Sequence, residues 1–262
     1  MVYDSVQMGE RTGAVLGPET EVGREHLSTK RIPPEKRLIF ALDTNIGDAR
    51  HLVMTLGDSV QFYKLGLEVL MSGNYLELAK ELVEQGKEVL LDFKSFDVPR
   101  TVAAAVREAR QSGGTFATVH AHDEMLKAAV AESNGIQILA VTVLTSLDQS
   151  DLLALGFPAQ VTVEELVLSR AKRALDIGCA GVISSGLELP ALRADLGDKF
   201  VIVVPGIRPV ENSDDHKRTV SVEQAFLMGA DYIVVGRPIR DHNDPRAAAE
   251  AIQQRIAALF KN

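Results

Sequence analysis

The stretch Leu91-Asp92-Phe93-Lys94-Ser95-Phe96-Asp97-Val98-Pro99 gathers two carboxylates and an ammonium into one short segment. In an extended strand side chains alternate faces, so Asp92 and Lys94 share one face while Leu91 and Phe93 take the other. Buried charges are costly unless paired, so an inward-facing Asp and Lys are not ordinary core residues. Lys64, in Phe62-Tyr63-Lys64-Leu65-Gly66, adds a second ammonium. Lys64, Asp92, Lys94 and Asp97 can then neutralise one another as an alternating network. Such a network keeps a lysine protonated beside an ionised carboxylate, which a proton donor next to a negative group requires. The alternative is a purely structural ion-pair cluster.

Two other segments have the chemistry of an anion site. Val204-Pro205-Gly206-Ile207-Arg208-Pro209 and Val235-Gly236-Arg237-Pro238 each join a glycine to an arginine. Glycine lets backbone N–H groups approach an anion, and arginine adds a forked, charge-assisted partner. The plainer alternative is a turn glycine beside a surface arginine. The polar run over 210–218 has the length of a lid. His120 and His122 share a strand end, but no third ligand completes a metal set, so no metal is expected. His120 is read as a hydrogen-bonded residue at the rim.

These residues need a frame that brings distant segments together. From residue 37 short β-branched runs alternate with amphipathic helical stretches. The expected strands are Leu38–Asp43, Val60–Gly66, Glu88–Lys94, Thr115–His120, Gln137–Val143, Gly181–Ser184, Phe200–Pro205 and Tyr232–Gly236. Helical patterns cover Leu67–Gln85, Pro99–Gln111, Val163–Ile177, Val222–Met228 and Pro245–Leu259. Eight such units without a break in composition predict a single α/β domain over 37–262, a closed parallel (β/α)8 barrel. An open doubly wound sheet would want a glycine fingerprint after its first strand, and Asp43-Thr44-Asn45-Ile46-Gly47 is not one. In a barrel the strand C-termini build the site, and here they are polar: Asp43, Lys64, Asp92, Lys94, His120, Thr145, Ser146, Ser184 and Arg208.

Composition narrows the function classes. The chain of 262 residues is 46% hydrophobic and 24% charged, as expected of a globular enzyme, and its net charge of −8 disfavours nucleic acid or anionic membranes as partners. Cys179 is the only cysteine, which excludes an internal disulfide framework and fits a reducing cytoplasm. No apolar run approaches a membrane span. Residues 1–36 lack a periodic pattern and are expected to form a flexible extension whose removal to residue 34 leaves folding nearly intact.

Together these motifs resemble the orotidine 5′-monophosphate decarboxylase family, from Leu38 to about Asp244. Asp92 to Pro99 matches the family's Asp-x-Lys-x-x-Asp-[Ile/Val]-Pro signature. Tyr63-Lys64-Leu65-Gly66 looks like its strand-two lysine segment, and Ala140 to Ser146, followed by Ser150-Asp151-Leu152, like its pyrimidine-side segment. Val204 to Pro209 and Val235 to Pro238 look like its phosphate-side segments. The resemblance implies the TIM-barrel architecture and decarboxylation of orotidine 5′-monophosphate to uridine 5′-monophosphate, without metal or cofactor.

By the same resemblance, Lys94 would donate a proton to C6 and Asp92 would lie against the substrate carboxylate. Lys64 and Asp97 would complete the network, with Asp97 and Thr101 lent by the partner in a homodimer. Asp43 would bind ribose, and Thr145 and Ser146 the pyrimidine side. Pro205, Arg208, His216, Gly236 and Arg237 would line the phosphate end. The chain departs from the family pattern at Arg100, at His122-Asp123-Glu124 after His120-Ala121, and at His216, where a glutamine is common. Two rivals remain at this stage. One is a sugar-phosphate decarboxylase or hexulose-phosphate synthase of the same superfamily, which has a Glu where Lys64 stands. The other is a non-catalytic phosphate-binding barrel.

Overall fold

A computed structural model describes residues 26–207 and 220–261. Eight parallel strands close into a barrel in sequence order, β1 pairing with both β2 and β8. They are β1 (Leu38–Leu42), β2 (Phe62–Leu65), β3 (Glu88–Ser95), β4 (Phe116–His120), β5 (Gln137–Val141), β6 (Gly181–Ile183), β7 (Val201–Val204) and β8 (Tyr232–Val235). Each lies at an expected position, with ends shifted by up to two residues.

The helices are α1 (Ile46–Leu56), α2 (Leu67–Met71), α3 (Tyr75–Glu84), α4 (Pro99–Ala109), α5 (Asp123–Ala131), α6 (Gln149–Ala154), α7 (Val163–Ile177), α8 (Leu189–Leu196), α9 (Val222–Leu227), α10 (Arg237–Arg240) and α11 (Pro245–Leu259). The single helix expected over Leu67–Gln85 is two. Ser72-Gly73-Asn74 interrupts it, with Gly73 at φ 91° and Asn74 at φ 54°. Left-handed backbone ends an α-helix, and glycine and asparagine adopt it most cheaply.

The strand period sorts side chains into two cores. Leu38, Phe40 and Leu42 of β1 face the helices, and Ile39 and Ala41 face the barrel axis. Near the floor of the barrel, Phe62, Phe116 and Tyr232 meet across the axis with ring centroids 5.6–5.9 Å apart. The inward positions that follow along β2 and β3 are Lys64, Leu90 and Asp92. The same alternation that fills the floor with rings therefore delivers charge to the mouth.

Of the extension expected over 1–36, residues 1–25 lie outside the described residues. Residues 26–36 are docked as a strap across the floor. Leu27 packs on the outer core and Ile32 on the inner one. Asp231, fully buried, accepts from the Ser28 hydroxyl, from Lys30 Nζ at 3.1 Å, from Arg193 Nη2 at 2.9 Å and from the Ile202 amide at 2.9 Å. Arg37 donates to the carbonyls of Asp231 and Lys30, and its guanidinium lies 3.8 Å from the Phe260 ring centroid. A short, mostly polar segment with no period gives no sequence signal of docking, because its partners are single residues far along the chain.

Deleting residues 1–34 should therefore destabilise the fold, contrary to the expectation from sequence. Loss of charge-assisted hydrogen bonds and of Ile32 burial should cost about 2–4 kcal/mol, or roughly 4–16 °C in melting temperature. A calorimetric scan against the full chain checks this, and an unchanged transition would contradict it.

Candidate active site

The polar strand ends converge on a cavity of about 510 Å³ at the mouth. Asp43, Lys64, Asp92, Lys94, Thr145, Ser146, Pro205, Gly236 and Arg237 line it. Arg208 and His216 lie outside the described residues. Asp97 and Thr101 are exposed and do not line this cavity. Asp97 turns its Oδ1 to its own following amide, that of Val98, at 2.6 Å.

At the centre is the Asp92 carboxylate, with only 8% of its side chain exposed. Its Oδ2 is 2.7 Å from Lys94 Nζ and 3.3 Å from Lys64 Nζ. Lys64 Nζ also reaches Asp43 Oδ1 at 2.8 Å. The order is Asp43, Lys64, Asp92, Lys94, so each charge meets one of opposite sign. Burial alone would push the Asp92 carboxyl up. The two ammoniums and the hydrogen bonds from Lys94 and Thr118 outweigh it, and hold the carboxyl below the usual carboxylate range. Burial would likewise lower the Lys64 ammonium, but Asp92 and Asp43 outweigh it and raise it. Both groups are thus kept charged in a place where an isolated charge would neutralise.

The shared face of Asp92 and Lys94 was read from strand alternation, yet the structure achieves it differently. Pairing of β3 with β4 runs Leu91 to Ala117 and then Ser95 to Val119, so Asp92, Phe93 and Lys94 all stand opposite Thr118. Two extra residues are accommodated by a bulge, with Lys94 left-handed at φ 43°. Such a conformation is costly for a lysine and must be held by its surroundings. Phe93 still packs toward the helices.

Glycine is required at the end of β2. A Cβ on Gly66 would stand 2.5 Å from Asp43 Oδ1 and 3.1 Å from Lys64 Nζ, so any other side chain would displace the carboxylate. Gly206, after β7, has φ 76°, a turn conformation that brings this loop to the cavity.

Two residues escaped the sequence reading. Thr118 is fully buried on β4 and bonds to both Asp92 and the Lys94 amide. Arg240 lines the cavity and donates from Nη1 to the Asp43 carbonyl at 2.6 Å. A threonine in a strand carries no signal of its own, whereas Arg240, three residues after Arg237 in α10, could have been found by helical spacing. His120 packs its ring edge-on to Phe96, with centroids 5.4 Å apart. Among the described residues no three His, Cys, Asp or Glu side chains converge as a metal site.

Fold and mouth together define a class: a (β/α)8 barrel enzyme with a cluster of paired charges at the carboxyl ends of its strands. The family model described as orotidine 5′-phosphate decarboxylase / HUMPS matches residues 36–252, and the chain belongs to that family. It is 55% identical to the orotidine 5′-phosphate decarboxylase of Methylococcus capsulatus, over 89% of this chain and 97% of the relative. The enzyme of the same name from Stenotrophomonas maltophilia is 48% identical, over 86% and 95%. The crystal structure of orotidine 5′-phosphate decarboxylase from Lactobacillus acidophilus superposes with a TM-score of 0.73 at 36% identity, covering 84% of this chain and 99% of that one.

The lowered Asp92 carboxyl has a sign that can be tested. Its charge stabilises the fold at neutral pH, and that contribution is lost only as pH falls through the lowered value. The carboxyl ¹³C resonance of Asp92 should titrate below the range of an ordinary aspartate. In Lys94→Ala it should titrate at higher pH, because one ammonium and one hydrogen bond are gone. An Asp92 that titrates as an ordinary carboxylate would contradict this electrostatic account.

Proposed function

We propose that this chain decarboxylates orotidine 5′-monophosphate to uridine 5′-monophosphate, the last step of de novo UMP biosynthesis. The observation that carries the reading is the alternating chain Asp43, Lys64, Asp92, Lys94 at the mouth of a barrel of this family.

The bond between C6 and the carboxylate breaks, CO₂ leaves, and the electron pair stays at C6. Lys94 Nζ supplies the proton that takes up this pair, and regains one from water. The cationic side of the network is already in place, so it stabilises the developing charge without reorganising. Asp92 faces the departing carboxylate. A Schiff base would need a neutral lysine, whereas Lys94 Nζ is engaged in an ion pair with Asp92 at 2.7 Å. Thr145 and Ser146 meet the pyrimidine and Asp43 the ribose. Pro205, Gly236 and Arg237 receive the 5′-phosphate, with Arg208 and His216 assigned to the same end. Phosphate binding, remote from C6, supplies energy for orientation.

A sugar-phosphate lyase that works through a divalent metal is the poorer reading. The Lys64 ammonium already bridges Asp43 and Asp92, the two carboxylates a metal would want.

The working unit of the reading is a homodimer, with Asp97 and Thr101 completing the partner's site. Supporting this, Asp97 is exposed outside its own cavity and sits between Phe96 and Val98, which are 69% and 63% exposed. Apolar side chains so placed mark contact surfaces. The reading places the enzyme in the cytoplasm. Among the described residues no helix is long and apolar enough to cross a membrane.

Purified protein should consume orotidine 5′-monophosphate without added metal, followed by absorbance. Lys94→Ala should lower turnover by at least about 10⁴-fold while remaining folded. Near-normal turnover by a folded Lys94→Ala would end the mechanism in which Lys94 is the proton donor.

The dimer has its own test. Lys94→Ala and Asp97→Ala should each be nearly inactive. After co-refolding, about half the dimers are mixed, and each has one intact site, so roughly a quarter of all sites should recover. Mixed dimers seen by mass spectrometry without returned activity would show that Asp97 serves its own chain.

A further inference from the structure

The bulge in β3 raises a question about its cause. Three consecutive residues, Asp92, Phe93 and Lys94, stand opposite the single residue Thr118. Where a ladder is stretched in this way, backbone groups lose their partners. The Lys94 amide would be one of them, and it belongs to a residue held at φ 43°. Its partner is a side chain: Thr118 Oγ1 accepts from the Lys94 amide at 2.9 Å. The same hydroxyl donates its own hydrogen to Asp92 Oδ1 at 3.0 Å. Thr118 is fully buried, so water does not share these tasks.

A hydroxyl has one hydrogen and two lone pairs, so it can donate to one group and accept from another. Here the donor capacity goes to Asp92 and an acceptor site to Lys94. Engaging Oδ1 leaves Oδ2 as the oxygen that meets both ammoniums. The two oxygens of one carboxylate are thereby given different partners. Valine has nearly the same shape and offers neither function.

We propose that Thr118 is a positioning residue for the reaction, a clasp that holds Lys94 in its left-handed conformation and turns the Asp92 carboxylate toward the two lysines. The proposal rests on the decarboxylase reading above and names the group on which that site's geometry depends. Thr118 does not itself line the cavity. Its effect is on the placing of the Lys94 ammonium, and an error of about an ångström in such a group can cost about a hundredfold in rate.

The test compares Thr118→Val and Thr118→Ser in the intact protein. Valine should lower kcat by about 10- to 100-fold and change KM by less than about threefold, because the phosphate end is untouched. Serine, which keeps the hydroxyl and drops the methyl, should restore kcat to within about threefold of the wild type. A valine variant with wild-type kcat overturns the proposal. So does a serine variant as slow as valine, since packing of the methyl would then be the cause. If the valine variant does not fold, Thr118→Ala and Thr118→Ser carry the same comparison, differing by one oxygen. Hydrogen exchange at the Lys94 amide reads the clasp without turnover: it should quicken in valine and not in serine, while the Val89 amide is unchanged. Turnover by the wild type tests the decarboxylase reading separately, so failure of the clasp is told apart from failure of that reading.

Discussion

One carboxylate oxygen, Asp92 Oδ2, is held between two ammoniums, and the mouth of the barrel is arranged around it. A carboxylate in this position alone would take up a proton, and Lys64 alone would tend to lose one. Together they stay charged because each is the counter-charge of the next. The arrangement also leaves an imbalance in exposure. Lys64 has 10% of its side chain exposed and Lys94 has 32%. The first is the fixed member of the network, and the second is the one that opens onto the cavity.

The barrel makes this possible by separating tasks along its axis. Aromatic rings fill the floor and aliphatic side chains line the wall, so the charged layer rests on a dry, stiff support. The low effective dielectric of that support strengthens the ionic contacts above it. Neighbouring strands then set which charges meet. Lys64 of β2 lies between Asp43, just beyond β1, and Asp92 of β3, and this ordering follows from strand order alone.

Much of this was legible in the sequence because it rests on periodicity. Each strand is marked by a short, mostly apolar run, and the inward positions of β2 and β3 could be counted off from Phe62 and Leu90. The roles of Lys64, Asp92 and Lys94 as one cluster came from that counting. What escaped depends on a single contact at long range. The bulge at Lys94 is a departure from the period used to find it. Thr118 reads as any β-branched strand residue, and its meaning arises only from what stands opposite. The strap over residues 26–36 has no period because Asp231 and the barrel floor supply its order. The break at Ser72-Gly73-Asn74 was visible as a turn composition, but the apolar spacing on both sides of it masked the signal.

The floor cluster around Asp231 and the mouth cluster around Asp92 share no residue. The layer of rings stands between them. Inheritance acts on the two ends at different cost. A lineage can rewrite the mouth, exchanging lysines or loop residues for a new ligand, while the lower end continues to secure a folded chain. The reverse route is dearer, since a change at Asp231 strands the buried Arg193 guanidinium and releases the strap that Lys30 ties down. Descendants of such a barrel are free to diverge in what they do long before they diverge in how they stand.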